Sequence, residues 1–349
     1  MFMKRVLIVN KTFPTAGVNI LKKKVETTVL PYNDYDPECL PHIKKNLGNG
    51  YDGLIWNTKH KLTGELLDLA GPKLCAISTM SSGTDQVEVD EVKKRNIPLG
   101  NTLRVLDDAV ADIALGLLVA AARRFKEGIA DIENNEWKIG VNWTLGQDIA
   151  GTTVGVVGLG GIGQSIVRRL HGFGVARFLY SGRTQKPEAK ELKAEYVDFH
   201  QLLRESDHVI LVCPLTAETK HMINENTLRM MKKNAVLINV ARGDLIDQNA
   251  LIKALKEDWI FSAGLDVTTP EPLSRDHPLL ALPNCCKFQK VCYRMRVNRP
   301  GGSTGFIGVM TPLGLDFSAP SHYCIIELEA VVTRIPLRDL LTRKLDPPL

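Results

Sequence analysis

The chain alternates short runs of consecutive apolar residues with longer stretches of mixed polarity. In the first third of the chain, the apolar runs occupy residues 5–9, 25–30, 53–56, 74–79 and 97–101. Strands that are covered on both faces carry consecutive apolar residues, as in the parallel sheets of α/β proteins. The pattern therefore predicts a first α/β domain built on a parallel sheet.

A second set of alternating segments follows a long apolar helix. Residues 101–124 are almost wholly apolar inside, with Asp107 and Asp108 near the start and Arg123 and Arg124 at the end, which suits the dipole of a buried helix. Strands are then predicted at 154–157, 176–181, 209–214, 235–241 and 262–267, and helices at 162–170, 199–205, 225–231 and 249–255. This repetition predicts a second doubly wound sheet, which the long helix connects to the first.

A glycine-rich turn opens the second domain. The apolar strand at 154–157 runs into Gly158-Leu159-Gly160-Gly161-Ile162-Gly163, and the apolar residues that follow have helical spacing. In such a turn the first glycine permits the tight bend, the second lets the backbone approach a pyrophosphate, and the third lets helix and strand pack closely. An ordinary glycine-rich turn is the alternative, but the position between a strand and a helix favours a dinucleotide site.

The turn after the next strand bears on the choice of dinucleotide. NAD-binding chains carry an Asp or Glu there, whereas this strand ends in Ser181-Gly182-Arg183-Thr184-Gln185-Lys186. The side chains of Arg183, Thr184 and Lys186 can donate hydrogen bonds to a 2′-phosphate. The sequence therefore predicts a preference for NADPH, with weaker use of NADH, and a solvated basic turn is the alternative.

Composition argues against several other classes of protein. The chain of 349 residues is 44% hydrophobic and 24% charged, as globular proteins are, and no apolar run reaches membrane-spanning length. A formal net charge of +5, without basic runs interleaved with aromatics, argues against a nucleic-acid partner. The scattered cysteines indicate reduced thiols and not a disulfide framework. The adjacent Cys285 and Cys286 lack the spacing of metal ligands, so no metal site is predicted. We expect a cytoplasmic (cytosolic) protein.

Three ordered motifs carry a family resemblance. They are the glycine-rich turn, then Asn239-Val240-Ala241-Arg242-Gly243, then Gly264-Leu265-Asp266-Val267-Thr268-Thr269-Pro270-Glu271-Pro272. In this order they resemble the D-2-hydroxyacid dehydrogenases, most closely the glyoxylate reductase/hydroxypyruvate reductase branch, over about residues 4–285. The resemblance implies two doubly wound parallel-sheet domains: a flavodoxin-like substrate-binding domain at residues 1–103 and a Rossmann NAD(P)-binding domain at 104–285. It also implies a homodimer.

The resemblance further assigns roles to individual residues. Arg242 would hold the substrate carboxylate and polarise the carbonyl, and Glu271 would raise the pKa of a catalytic histidine. Ser82 and Gly83 would contact the substrate carboxylate, although the residues alone favour a plain polar loop. Motifs and resemblance together give a cofactor-binding set of Gly158, Gly160, Gly161, Ile162, Gly163, Arg183, Thr184, Lys186, Pro214, Val240 and Asp266.

The C-terminal segment departs from the family. Lys290 stands where the family has its proton-donating histidine, and an ammonium group with an ordinary pKa of about 10.4 is a poor replacement. Residues 286–349 are expected to form a divergent, poorly ordered tail, produced by a different reading frame or a retained intron. Loss of the family's last strand would leave the strand at 262–267 as an exposed sheet edge.

The sequence therefore predicts NADPH-dependent reduction of glyoxylate or hydroxypyruvate, a small 2-oxo acid, to a D-2-hydroxy acid. The missing histidine predicts that this activity is impaired. The alternative is an NADP(H)-binding protein of the same fold that has no turnover and acts as a sensor or scaffold. The expected partners are the 2-oxo acid and a second copy of the chain, with no nucleic acid and no membrane.

Overall fold

The computed structural model describes residues 4–102, 104, 106–136, 145–287 and 311–312. Contacts divide the chain into two compact units. Unit 1 comprises residues 1–106 and 294–349, and unit 2 comprises residues 107–293. Each unit is built on a largely parallel sheet flanked by helices, which confirms the predicted α/β class.

Unit 1 contains a six-stranded sheet within the described residues. Its elements are, in chain order, β1 (Arg5–Ile8), α1 (Thr15–Lys22), β2 (Glu26–Val29), α2 (Cys39–Leu47), β3 (Gly53–Trp56), α3 (Gly64–Ala70), β4 (Ala76–Thr79), α4 (Val89–Lys94) and β5 (Leu99–Asn101). The strands lie in the order β2-β1-β3-β4-β5, all parallel, which is the flavodoxin-like order. Thr311–Pro312 pairs antiparallel with β5. Every position of β3 and β4 is buried, as their consecutive apolar residues predict.

Unit 2 contains a seven-stranded parallel sheet. Its elements are α5 (Asp107–Ala122), α6 (Phe125–Glu133), β6 (Thr153–Val157), α7 (Gly161–Leu170), β7 (Arg177–Ser181), β8 (Ala194–Tyr196), α8 (Phe199–Glu205), β9 (His208–Leu211), α9 (Glu225–Met230), β10 (Val236–Asn239), α10 (Gln248–Lys256), β11 (Ser262–Leu265), α11 (Pro278–Ala281) and β12 (Cys285–Lys287). The strand order β8-β7-β6-β9-β10-β11-β12 reverses direction beside β6, as in a Rossmann sheet. The long apolar helix α5 packs on α7, β10 and β11, which explains its lack of a polar face.

One expectation about the end of unit 2 is wrong. β11 is not an edge strand, because β12 pairs with it in parallel through Ala263–Cys285, Gly264–Cys286 and Leu265–Lys287. The fully buried Cys285 belongs to the core of this unit, so residues just beyond the predicted boundary still complete the sheet. Lys290 and most of the predicted tail lie outside the described residues.

No helix in the described part of the chain combines the length and apolarity that crossing a bilayer requires.

The fully buried His208 at the start of β9 should make unit 2 sensitive to acid. Burial lowers the pKa of His208 from its ordinary 6.5, against the opposing effects of the Asp148 backbone and the Asp207 charge. The unfolded chain therefore takes up this proton at a higher pH than the folded chain, so the free energy of unfolding falls as pH drops below about 6.5. A single proton sets an upper limit of about 1.4 kcal/mol per pH unit on this slope. Urea denaturation above and below this pH measures it.

A comparison of two histidine variants isolates this effect. His208→Gln should flatten the pH dependence below pH 6.5. The matched variant of the exposed His200, His200→Gln, should keep the slope of the parent. An unchanged slope in His208→Gln would show that another group is responsible.

Candidate functional site

The turn between β6 and α7 has the shape of a phosphate-binding turn. Gly158 adopts φ +106°, and a Cβ there would lie 3.0 Å from the backbone nitrogen of Cys213. A Cβ on Gly163 would lie 2.2 Å from the carbonyl oxygen of Gly158, so the helix packs directly on the turn. A Cβ on Gly160 would meet nothing within 4 Å. The first and third glycines are thus required by the protein itself, whereas the second leaves open space.

That open space lies at the N-terminus of α7. The residue before the helix is Gly160, in extended conformation and without a side chain to cap the helix. The first amides of a helix lack partners within the helix, and the positive end of its dipole favours an anion. The amides of Gly161, Ile162 and Gly163 therefore fit the pyrophosphate of a dinucleotide. Asp107 at the start of α5 reaches this turn, since a Cβ on Gly161 would lie 1.9 Å from its Oδ2 atom.

The basic turn after β7 is held by two tyrosines. The Tyr180 hydroxyl accepts from the backbone N–H of Lys186 at 2.9 Å, and Tyr196 donates to the carbonyl of Gly182 at 2.9 Å. The side chains of Arg183 and Thr184 are exposed between these two anchors. The turn therefore has a fixed backbone and presents its polar side chains to solvent or to a ligand.

Glu218 lies near Arg183, which sequence reasoning did not detect. The pKa of Glu218 is below its ordinary value. The causes, largest first, are a hydrogen bond from the Thr216 hydroxyl, a hydrogen bond from the backbone of Glu218 itself, and the charge of Arg183. Glu218 comes from the segment after β9, far from Arg183 in the sequence, so no local pattern reveals the proximity.

The segment after β9 also packs on the glycine turn. The backbone of Val212 and Cys213 is what a Cβ on Gly158 would strike, and Pro214 follows directly. The strand was predicted to continue to Pro214 but ends at Leu211, because the backbone leaves the sheet before the proline, which has no N–H to donate. Burial raises the pKa of Cys213 to about 11, so this thiol places no negative charge beside the turn.

Arg242 sits on a turn that Asn239 braces. Asn239, the last residue of β10, donates from Nδ2 to the carbonyl of Arg242 at 2.8 Å and accepts from the N–H of Ala241 at 3.0 Å. A Cβ on Gly243 would lie 2.2 Å from the carbonyl carbon of Thr268, so this turn touches the segment after β11. Val240 is buried beneath it. Asn239 belongs to one of the three sequence motifs, but the motif alone does not show that its side chain positions the turn of Arg242.

The segment after β11 carries the two predicted acids of unit 2. Asp266 is buried, and its N–H donates to the carbonyl of Asn239 at 2.9 Å. Glu271 is exposed, and its Oε1 accepts from the N–H of Thr268 at 3.2 Å. Burial lowers the pKa of Lys287 on β12, against the charge of Glu271, so Glu271 lies within electrostatic range of a lysine.

Unit 1 carries the predicted substrate loop after β4. Ser82 and Gly83 are partly buried there. Asn101 donates from Nδ2 to the carbonyl of Ser82 at 2.7 Å, and the Ser81 hydroxyl donates to the carbonyl of Gly83 at 2.6 Å. The backbone carbonyls of Ser82 and Gly83 therefore accept hydrogen bonds from other residues of the unit, and these bonds hold the backbone of the loop in place.

Comparisons with known proteins agree with this geometry. The family described as "D-isomer specific 2-hydroxyacid dehydrogenase, NAD binding domain" matches residues 115–287. The glyoxylate reductase/hydroxypyruvate reductase of Mus musculus is 42% identical over 281 residues, which cover 80% of this chain and 85% of the mouse protein. The glyoxylate reductase of Thermococcus kodakarensis is 44% identical over 277 residues, covering 77% of this chain and 81% of that protein.

A solved structure extends the likeness along the chain. The crystal structure of a glyoxylate reductase from Paecilomyes thermophila matches with a TM-score of 0.76 and 27% identity, over 98% of this chain and 97% of that one. The family resemblance carried by the three motifs is therefore confirmed. The chain belongs to the family of D-isomer specific 2-hydroxyacid dehydrogenases.

Proposed function

We propose that this chain is a cytosolic oxidoreductase that reduces glyoxylate or hydroxypyruvate to the D-2-hydroxy acid with NADPH. The observation that carries the proposal is the phosphate-binding geometry of the turn Gly158–Gly163. The same residues lie within a chain that is 42% identical to a glyoxylate reductase/hydroxypyruvate reductase.

The proposed roles follow from the chemistry of reducing a carbonyl. A bound nicotinamide supplies the hydride. Arg242 interacts with the substrate carboxylate and stabilises the oxyanion that forms at the carbonyl. Water protonates this oxyanion to the hydroxyl group, because Lys290 stands where the family has its proton-donating histidine. Asn239 keeps the turn of Arg242 rigid, so little reorganisation is needed when charge develops. Asp266 contacts the nicotinamide carboxamide, and Ser82 and Gly83 contact the substrate carboxylate.

A second candidate function is binding of NADP(H) without turnover, as a sensor or scaffold. The sequence observation that favours it is Lys290 at the position of the family's proton-donating histidine. Glu271 would then have no histidine to polarise, whereas the glycine turn proposed to bind the cofactor is retained.

One experiment separates the two functions. The full-length chain is titrated with NADPH by fluorescence, and NADPH oxidation is followed by absorbance after adding hydroxypyruvate or glyoxylate. Binding with measurable turnover supports the reductase, and binding without turnover supports the second function. Arg242→Gln should retain NADPH binding and lose any turnover. A folded chain that does not bind NADPH would refute both.

Arg183 is expected to set the cofactor preference. Replacing it with Asp removes a charge-assisted hydrogen bond to the 2′-phosphate. The new carboxylate, like the nearby Glu218, would also repel that phosphate. A hydrogen bond to a charged group contributes about 1.5–3 kcal/mol, so the Kd for NADPH should rise by about 10- to 100-fold while that for NADH changes little. Lys256→Asp, at an exposed position of α10, makes the same charge change as a control. An unchanged ratio of the two Kd values in Arg183→Asp would contradict the assignment.

A homodimer is also part of the proposal, and α6 offers a surface for it. Phe125, Ile129 and Ile132 have helical spacing and are 51%, 54% and 57% exposed. Apolar side chains exposed together on one helix face commonly mark an interface between proteins. The stretch with Trp137 and Trp143, which could be an arm that reaches a partner or a loop with two anchors, lies outside the described residues.

Ile129→Glu should weaken this dimer more than tenfold, because it places a charge within an apolar contact. Sedimentation equilibrium of the parent and the variant measures the change. Leu69→Glu makes the same change at another exposed position and should leave the association constant unaltered. A parent chain that is monomeric at all concentrations would contradict the proposed dimer.

A further inference from the structure

Unit 1 contains a cluster of three chemically different ligand groups that the proposed reduction does not use. A carboxylate oxygen of Asp34, the Sγ atom of Cys39 and a ring nitrogen of His60 all lie within 4.8 Å of one another. We propose that these three side chains bind one Zn²⁺ ion, with water in the fourth position. This proposal is independent of the proposed reductase function.

The position of the cluster in the sheet suits a ligand site. β1 lies between β2 and β3, so β2 is added on one side of β1 and the later strands are added on the other side. Asp34 lies in the segment after β2, His60 lies in the segment after β3, and Cys39 is the first residue of α2. Open α/β sheets bind ligands outside the carboxyl ends of their strands, where the direction of winding changes. The predicted carboxylate loop with Ser82 follows β4 and uses other residues.

The carboxylate of Asp34 is already oriented. Its Oδ1 atom accepts from Asn10 Nδ2 at 3.0 Å and from the Thr58 hydroxyl at 2.5 Å. Asn10 and Thr58 are both buried, so these partners have little freedom to move. Both bonds end on Oδ1, so the carboxylate keeps lone pairs with which to bind a metal ion. Hydrogen bonds of this kind fix the orientation of carboxylate ligands in metal sites.

His60 offers a ring nitrogen that the described residues do not satisfy. Its Nε2 atom is buried and has no hydrogen-bond partner among them. The backbone around it is held, since the N–H of His60 donates to the Thr58 hydroxyl at 3.3 Å and its carbonyl accepts from Trp56 Nε1 at 2.8 Å. Buried polar atoms are nearly always paired, so an unpaired nitrogen on the ring that reaches the thiol and the carboxylate calls for an explanation. A coordinated cation supplies one.

The thiol of Cys39 completes the donor set and selects the metal. Cys39 is fully buried, and burial together with Asp34 and Asp36 raises its pKa, against the charge of Lys59. A divalent cation reverses this balance, and the thiol proton passes to solvent when the sulfur coordinates. Sulfur and nitrogen ligands favour Zn²⁺ over Mg²⁺ or Ca²⁺. Zinc bonds of about 2.0–2.3 Å place tetrahedral ligands about 3.3–3.8 Å apart, so ligand atoms now within 4.8 Å of one another would draw together by about 1 Å on binding.

Cobalt(II) is the probe that reports on the thiolate directly. The full-length chain is treated with a chelator, titrated with Co²⁺, and then back-titrated with Zn²⁺. We expect a near-ultraviolet sulfur-to-cobalt absorption band that Zn²⁺ abolishes at one equivalent. Cys39→Ser should eliminate this band, whereas Cys75→Ser, which removes the thiol near Asp52 in the same unit, should retain it. Elemental analysis after desalting should give one zinc ion per parent chain.

Two further variants keep the proposal testable if Cys39→Ser does not fold. His60→Gln and Asp34→Asn retain the thiol, and each should weaken Zn²⁺ affinity by more than about 100-fold, because even loss of an outer hydrogen-bonding partner costs about 10- to 100-fold. Circular dichroism confirms folding of each variant. The absence of a cobalt band in the parent, an equal band in folded Cys39→Ser, or parental zinc affinity in both other variants would overturn the proposal.

Discussion

Turnover of hydroxypyruvate by this chain is expected to be about 10²- to 10⁴-fold slower than by the mouse relative, although NADPH should still bind. That range is what a positioned general acid contributes, and the residue at its place in this sequence is Lys290. The proposed cofactor site at Gly158–Gly163 and the proposed electrostatic support from Arg242 are unaffected by this difference, so we expect some turnover to remain.

The measurement is kcat for both proteins at saturating NADPH and hydroxypyruvate, as a function of pH. A histidine donor makes the rate fall as pH rises through its pKa, and a chain without that donor should lack this descending limb. The NADPH Kd of the two proteins should agree within about tenfold. A kcat equal to that of the mouse protein, with the descending limb present, would show that another group has taken over proton donation.

Much of the fold could be predicted because the strands of a parallel sheet are buried on both faces. The strand Gly53–Trp56 and the helix Phe199–Glu205 were predicted with the bounds that the structure shows. The edge strand β8 was missed, since Glu195 and Tyr196 are exposed and its sequence lacks an apolar run. β12 was missed for a different reason: its three residues precede a segment without any family likeness, and only pairing with β11 identifies them as a strand.

The candidate sites likewise contain features that the sequence predicts and features that it does not. The glycine turn was found because its chemistry lies within one short segment. The proximity of Glu218 to Arg183, and the cluster of Asp34, Cys39 and His60, depend on which strands are neighbours in a sheet. A search for metal sites that considers only cysteine spacing could not find three different ligand types in separate segments of the chain. Strand order is the information that was lacking.

Two glycine variants should separate folding from cofactor binding in unit 2. Gly163→Ala places a Cβ 2.2 Å from the backbone carbonyl of Gly158, and no side-chain rotation can relieve a clash with backbone. Overpacking costs about 1–3 kcal/mol or more, which exceeds the gain of up to about 1 kcal/mol that alanine brings to a helix. We expect a net loss of about 2 kcal/mol in the free energy of unfolding, together with loss of NADPH binding.

Gly160→Ala is the matched change three residues earlier. Its Cβ would meet nothing within 4 Å, and φ at this position is −78°, which alanine adopts readily. The free energy of unfolding should therefore change by less than about 0.5 kcal/mol. The added methyl group would occupy the space through which a pyrophosphate approaches the first amides of α7, so the NADPH Kd should rise at least tenfold. Urea denaturation and fluorescence titration of both variants provide the two readouts. A Gly160→Ala protein that binds NADPH as tightly as the parent would show that the phosphates do not lie against this turn.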